Sequence, residues 1–199
     1  SSTNSNNGVT FQNVKAIAEV AVSNDAGGAV AVQYVDTAVV GTTDIQKLAL
    51  DGSATTAGQT VGAVTINGIE TFDITATGKS TVASLNSTTL ASVVVSGAGA
   101  LTVTGALANT VKSYDASKAT GSQTVSFVDG VGAADVAVKG GTADDSFAFA
   151  AGFTSKDTVD GGLGTDTVSL DGGSYLLAAN DVLKGLNALT SVEKLVFTG

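Results

Sequence analysis

An apolar-x-x-apolar-x-apolar spacing recurs along the whole chain. It appears at Ile17-Val20-Val22, Ile45-Leu48-Leu50, Ile69-Phe72-Ile74, Leu90-Val93-Val95 and Val111-Tyr114-Ala116, and returns at Val192-Leu195-Phe197. From Ile69 to Leu90 to Val111 the step is 21 residues both times. Thr71, Ser92 and Ser113 share that phase, as do Gly78 and Gly99, and a second row centred on Val82, Val103 and Val125 keeps nearly the same period. A fixed period of roughly 20 to 50 residues is the mark of repeat architectures, because one such unit cannot bury its apolar face until a neighbour stacks on it. Two or three short stretches of period-2 alternation per unit, separated by Gly, Asn, Asp or Ser turns, read as strands. The fold expected is all-β, a parallel β-solenoid of about 21-residue coils. A β-sandwich, whose even strand spacing would mimic a period, is the alternative.

The period divides the chain. Residues 1–7 are polar and read as a disordered linker or a processed start; residues 8–60 form a less regular β segment; residues 61–199 form the solenoid proper. In the irregular part the pattern steps by 28 and then 24 residues, which implies loops at one edge. Between Tyr175 and Leu189 the alternation disappears, and Leu176, Leu183 and Leu186 behind Asn180 predict one short helix near the C-terminus, capped by Asn180.

Composition narrows the function classes. Hydrophobic residues make up 43% of the 199 positions but are mostly Ala and Val, which suit thin, closely stacked β cores. His, Cys, Met, Trp and Pro are absent, and all nine basic residues are Lys. A net charge of −9 with no basic stripe argues against nucleic acid and against anionic membrane surfaces. No run approaches the roughly 18 apolar residues needed for membrane insertion. Without His or Cys the commonest general base and the thiol nucleophile are missing, and no G-x-S-x-G motif is present, so no enzyme is expected.

The acids are unevenly placed. Eight of the 18, from Asp129 to Asp171, lie within 43 residues, offset only by Lys139 and Lys156. Residues 139–172 contain Gly161-Gly162-Leu163-Gly164-Thr165-Asp166-Thr167-Val168-Ser169, which fits the calcium-binding nonapeptide G-G-x-G-x-D-x-U-x throughout. Gly140-Gly141-Thr142-Ala143-Asp144-Asp145-Ser146-Phe147-Ala148 is a second copy with Ala143 in place of the third glycine, and it starts 21 residues earlier. Aspartates supply hard oxygen ligands, and turn carbonyls can complete a shell of about 6–8 oxygens around Ca²⁺.

The order of these features resembles the repeat region of bacterial surface-layer (S-layer) proteins and of related RTX-type secreted proteins. The residues that carry it are Asn67 to Gly78, Leu90 to Gly97, Ala100 to Gly105, Tyr114 to Ser117 and Asp157 to Gly162. The resemblance implies an extracellular, calcium-dependent structural protein of the bacterial cell surface, exported by a type I route, that assembles with copies of itself into a surface layer or filament. Carried over by position, it makes Asp145 and Asp166 the motif aspartates, Gly141, Ala143, Gly162 and Gly164 carbonyl donors, and Asp144 and Asp160 further ligands of Ca²⁺. Beside copies of itself, cell-surface polysaccharide is a further expected partner, and the alternative function is an adhesive or ligand-binding module of a large type I-secreted RTX protein.

Overall fold

The computed structural model describes residues 7–53, 56–128, 134–149, 153–171 and 185–198. Successive strands fall alternately into two sheets. The odd strands are β1 (Val9–Val14), β3 (Val30–Tyr34), β5 (Gln59–Ile66), β7 (Ser80–Asn86), β9 (Leu101–Val103), β11 (Gln123–Phe127), β13 (Ser146–Phe149), β15 (Thr167–Asp171) and β17 (Lys194–Thr198). They form one nine-stranded sheet in chain order. The even strands are β2 (Val20–Ser23), β4 (Ile45–Gly52), β6 (Thr71–Gly78), β8 (Ser92–Gly97), β10 (Ser113–Ala119), β12 (Ala137–Lys139), β14 (Thr158–Asp160) and β16 (Leu189–Thr190), which form an eight-stranded sheet. Neighbours within each sheet pair in parallel. The chain is therefore a parallel β-solenoid, and the sandwich alternative is set aside, because each strand's partners are its counterparts one coil before and one coil after.

The register reproduces the sequence period where the period is strict. Thr71 pairs with Ser92 and Ser92 with Ser113, while Val82 pairs with Val103. Ile69, Leu90 and Val111 plug the corner ahead of β6, β8 and β10, and the next two apolar residues of each triplet point inward. Residues 8–60 contribute β1 to β4 to the same two sheets; their irregularity lies in long connectors, with Val20 pairing with Leu48 and Val30 with Val64, steps of 28 and 34, and in a register shift of β1 between Phe11 and Val14. Two members of the recurring pattern sit differently from the others. Ile45 is 50% exposed, and Val192-Leu195-Phe197 leads into β17 of the nine-stranded sheet, whereas the earlier triplets all enter the eight-stranded one.

Of the expected C-terminal helix, the described residues show a single 3₁₀ turn at Leu186–Ala188. Leu176, Asn180 and Leu183 lie outside the described residues, as do residues 1–6 of the expected linker.

The core is one continuous column between the sheets. Val and Leu fill it over most of its length, and aromatic rings take over toward the C-terminal coils. Tyr114 meets Phe127 and Phe147 edge-on, and Phe127 stacks on Phe149 at 4.8 Å between ring centroids. The Tyr114 hydroxyl, fully buried, donates to Gln123 Oε1 at 2.9 Å, and Gln123 Nε2 donates to the Gly121 carbonyl at 2.7 Å. Burial and the neighbouring Asp145 charge raise the Tyr114 pKa, so the ring stays a donor.

Candidate functional site: a column of carboxylates at one corner

One register position opens every odd strand from β5 onward, or immediately precedes it. It is held in turn by Gln59, Ser80, Leu101, Gln123, Asp145, Asp166 and Glu193. In the upstream coils its backbone N–H donates to a carbonyl of the next coil: Gln59 to Lys79, Ser80 to Ala100, and Leu101 to Ser122, at 2.8–2.9 Å. From Gln123 onward a carboxylate of the next coil takes over. Gln123 N–H donates to Asp145 Oδ1 at 2.7 Å, Asp145 N–H to Asp166 Oδ1 at 2.7 Å, and Asp166 N–H to Glu193 Oε2 at 2.8 Å. Each acid thus staples its own coil to the one before.

The same device occurs at the opposite corner. Asp44 N–H donates to Glu70 Oε2 at 2.8 Å, and Val136 N–H donates to Asp157 Oδ1 at 2.7 Å. In all five cases the acid immediately precedes a strand, where a backbone N–H of the preceding coil points at it and a charged acceptor makes a short, strong bond. Asp157, Glu70 and Glu193 were not expected as site residues. A Glu or Asp directly ahead of a strand is the signal that would have found them.

The glycines of the loop make room for the carboxylates. Asp145 Oδ2 folds back over its own loop to accept the Gly141 N–H at 2.7 Å, and a Cβ on Gly140 would lie 2.6 Å from that oxygen. A Cβ on Gly161 would lie 2.5 Å from Asp166 Oδ2 and would also collide with the Ser191 carbonyl. Gly161→Ala is therefore expected to pull the end of β16 away from β14 and lower the unfolding free energy by about 2 kcal/mol or more, read by denaturant melts. An unchanged midpoint would mean that the carboxylate does not sit over the loop.

The two loops that sequence reasoning paired prove unequal. In the upstream loop Asp145 is buried and both of its oxygens accept backbone N–H groups, while burial raises its pKa against those two bonds. Asp166 is 1% exposed; its Oδ1 accepts the Asp145 N–H, and its Oδ2 has no hydrogen-bond partner. Desolvation is the largest cause pushing its pKa up to about 6, the Asp145 N–H bond opposes it, and the negative charges of Asp145, Glu193 and Asp144 add to the rise. Asp144 is exposed and its Oδ1 accepts the Thr165 N–H at 2.8 Å, across the coil boundary. Asp160 is exposed too and accepts the Gly162 N–H at 3.2 Å. The Gly141 carbonyl accepts the Leu163 N–H at 3.0 Å, and Gly164, at φ +124°, lets the downstream loop pass close over Ala143.

Ca²⁺ can be weighed against this donor set. Asp145 does not suit it, because N–H donors already face both of its oxygens. Asp166 does: its buried, unpartnered Oδ2 has uncompensated negative charge around it, which a hard cation would neutralise. Among the described residues no three or more acidic, His or Cys side chains stand grouped to hold a metal. A shell at Asp166 would need Asp144 or Glu193 to turn inward, together with loop carbonyls. Comparisons with protein-family models, with curated proteins and with solved structures find no match for this chain.

Proposed function

We propose that this chain is an extracellular structural protein of the bacterial cell surface, a calcium-responsive β-solenoid that assembles with copies of itself into a surface layer or filament. The observation that carries the calcium part is the buried Asp166 oxygen left without a donor inside an acidic corner. Asp166 would hold the ion, with Asp144 and Glu193 as the nearest further carboxylates. The ion would supply charge neutralisation where the last coils meet. Outside a cell, where such modules bind Ca²⁺ at roughly 10⁻⁴ to 10⁻³ M, the corner would be filled and the coil junction tightened; inside it would stay empty. A calcium-gated structural unit of this kind needs no catalytic group.

The test is thermal and chemical unfolding of chelator-treated protein with and without 10 mM CaCl₂. Binding at the affinities above stabilises the fold by about 1.5 to 3 kcal/mol. Asp166→Asn is expected to lose that gain. An equal shift in wild type and Asp166→Asn, or none in wild type, overturns the calcium reading.

A further inference from the structure

The coil column ends, at both faces, on a strand of the same sheet. Among the described residues, strands β1 and β17 are the outermost members of the nine-stranded sheet, and every pairing from one to the other is parallel. Their inward positions continue the core columns. Val9 and Phe11 register with Val30 and Val32, and Leu195 and Phe197 with Val168 and Leu170. The interior members of these columns are buried, yet Phe11 is 50% exposed and Leu195 40%. At the N-terminal face a cavity of about 400 Å³ opens between the sheets, walled by Val9, Phe11, Val14, Val20, Val32 and Tyr34.

We infer that these two faces are halves of one contact: a second copy of this chain docks β17 alongside β1, in parallel, placing Leu195 in the N-terminal cavity. The inference rests on the self-assembling reading above and names its interface. The partner is another copy because the complementary half lies on the same molecule, with the same sheet, the same strand direction and the same inward phase. Charge agrees. The molecule carries −9 overall, so copies repel over most of their surface, but β1 has no charged residue and β17 has only Lys194. Glu19 and Asp25 at the rim of the N-terminal cavity oppose Lys194 in sign. Because the two halves differ and lie at opposite ends of the same sheet, the contact is heterologous and does not close. It makes a filament with one continuous sheet, in which each added copy satisfies a strand edge and exposes an equivalent one.

Sedimentation velocity over a concentration series tests this, using the full chain and two capping variants, Phe11→Lys for the N-terminal face and Leu195→Lys for the C-terminal face. Wild type is expected to form an open series of oligomers that lengthens with concentration. Each variant alone should be monomeric, because one half of every contact is blocked. Mixed in equal amounts they should form dimers and stop at twice the monomer mass, since one intact half remains on each. Circular dichroism confirms that both variants fold, and Thr124→Lys, on the outer face of β11, should leave association unchanged. A wild type that is monomeric at every concentration overturns the inference. So does a mixture that stays monomeric, or association lost in Thr124→Lys but kept in the capping variants. The calcium shift is read separately by melting monomeric Leu195→Lys, so failure of the contact and failure of the calcium reading are distinguishable.

Discussion

Asp145→Ala lowers the unfolding free energy by about 3 to 5 kcal/mol, the largest effect expected of any single acid in this chain. The residue is 2% exposed and each of its oxygens receives a backbone N–H at 2.7 Å. Truncation leaves the amides of Gln123 and Gly141 buried without acceptors, and an orphaned buried donor costs about 1–3 kcal/mol. It also opens a space beside Phe147 at the junction of β11 and β13. Denaturant melts measure the loss. Hydrogen exchange locates it, because the Gln123 and Gly141 amides should exchange faster while Gln59, Ser80 and Leu101, bonded to carbonyls, stay protected. Unchanged exchange at Gln123 and Gly141 would mean that the staple does not form.

Asp166 is expected to behave in the opposite sense. In metal-free buffer the wild-type fold should be more stable at pH 5 than at pH 7.5, by about 1.4 kcal/mol from this carboxyl, because pH 5 lies about one unit below its folded-state pKa. The sign follows from the direction of the shift. The carboxyl has a folded-state pKa of about 6, above its usual 3.8. The folded state therefore holds the proton more tightly than the unfolded chain does. That contribution is complete below the unfolded value and is lost as pH rises through the folded one. Asp145, also raised by burial, adds in the same direction. Asp166→Asn removes the ionisable group while keeping the Oδ1 acceptor for Asp145 N–H, so it should flatten this pH dependence and gain stability at pH 7.5 without metal. Saturating Ca²⁺ should suppress the pH dependence in wild type. A wild-type stability that rises from pH 5 to pH 7.5 in chelator would contradict the buried, unpartnered oxygen.

Much of the architecture could be read from residue spacing. Positions such as Phe72, Val93 and Tyr114 are in register and buried because a coil of constant length returns the chain to the same phase, and period-2 alternation then decides which side chains face inward. The glycine-aspartate stretch could be located as well, since its spacing equals that of the coils. What the spacing did not reveal was the fate of each oxygen. Asp145 and Asp166 occupy equivalent motif positions, yet one is saturated by N–H donors and the other is not. The difference depends on where the glycine N–H ahead of each is directed. Gly141 turns its N–H inward to Asp145, whereas Gly162, at φ +93°, directs its N–H to Asp160.

The repeat, its coil length, the inward apolar positions and the location of the acidic corner are all written in the residue order, because they are local periodicities carried by side-chain size, polarity and turn chemistry. The tertiary structure alone decided which sheet each strand joined, how the irregular steps near the N-terminus were absorbed, and which carboxylates became staples. Those outcomes depend on the neighbouring coil: an aspartate ahead of a strand acquires a donor only when a chain segment some 21 to 27 residues away in register presents its backbone N–H.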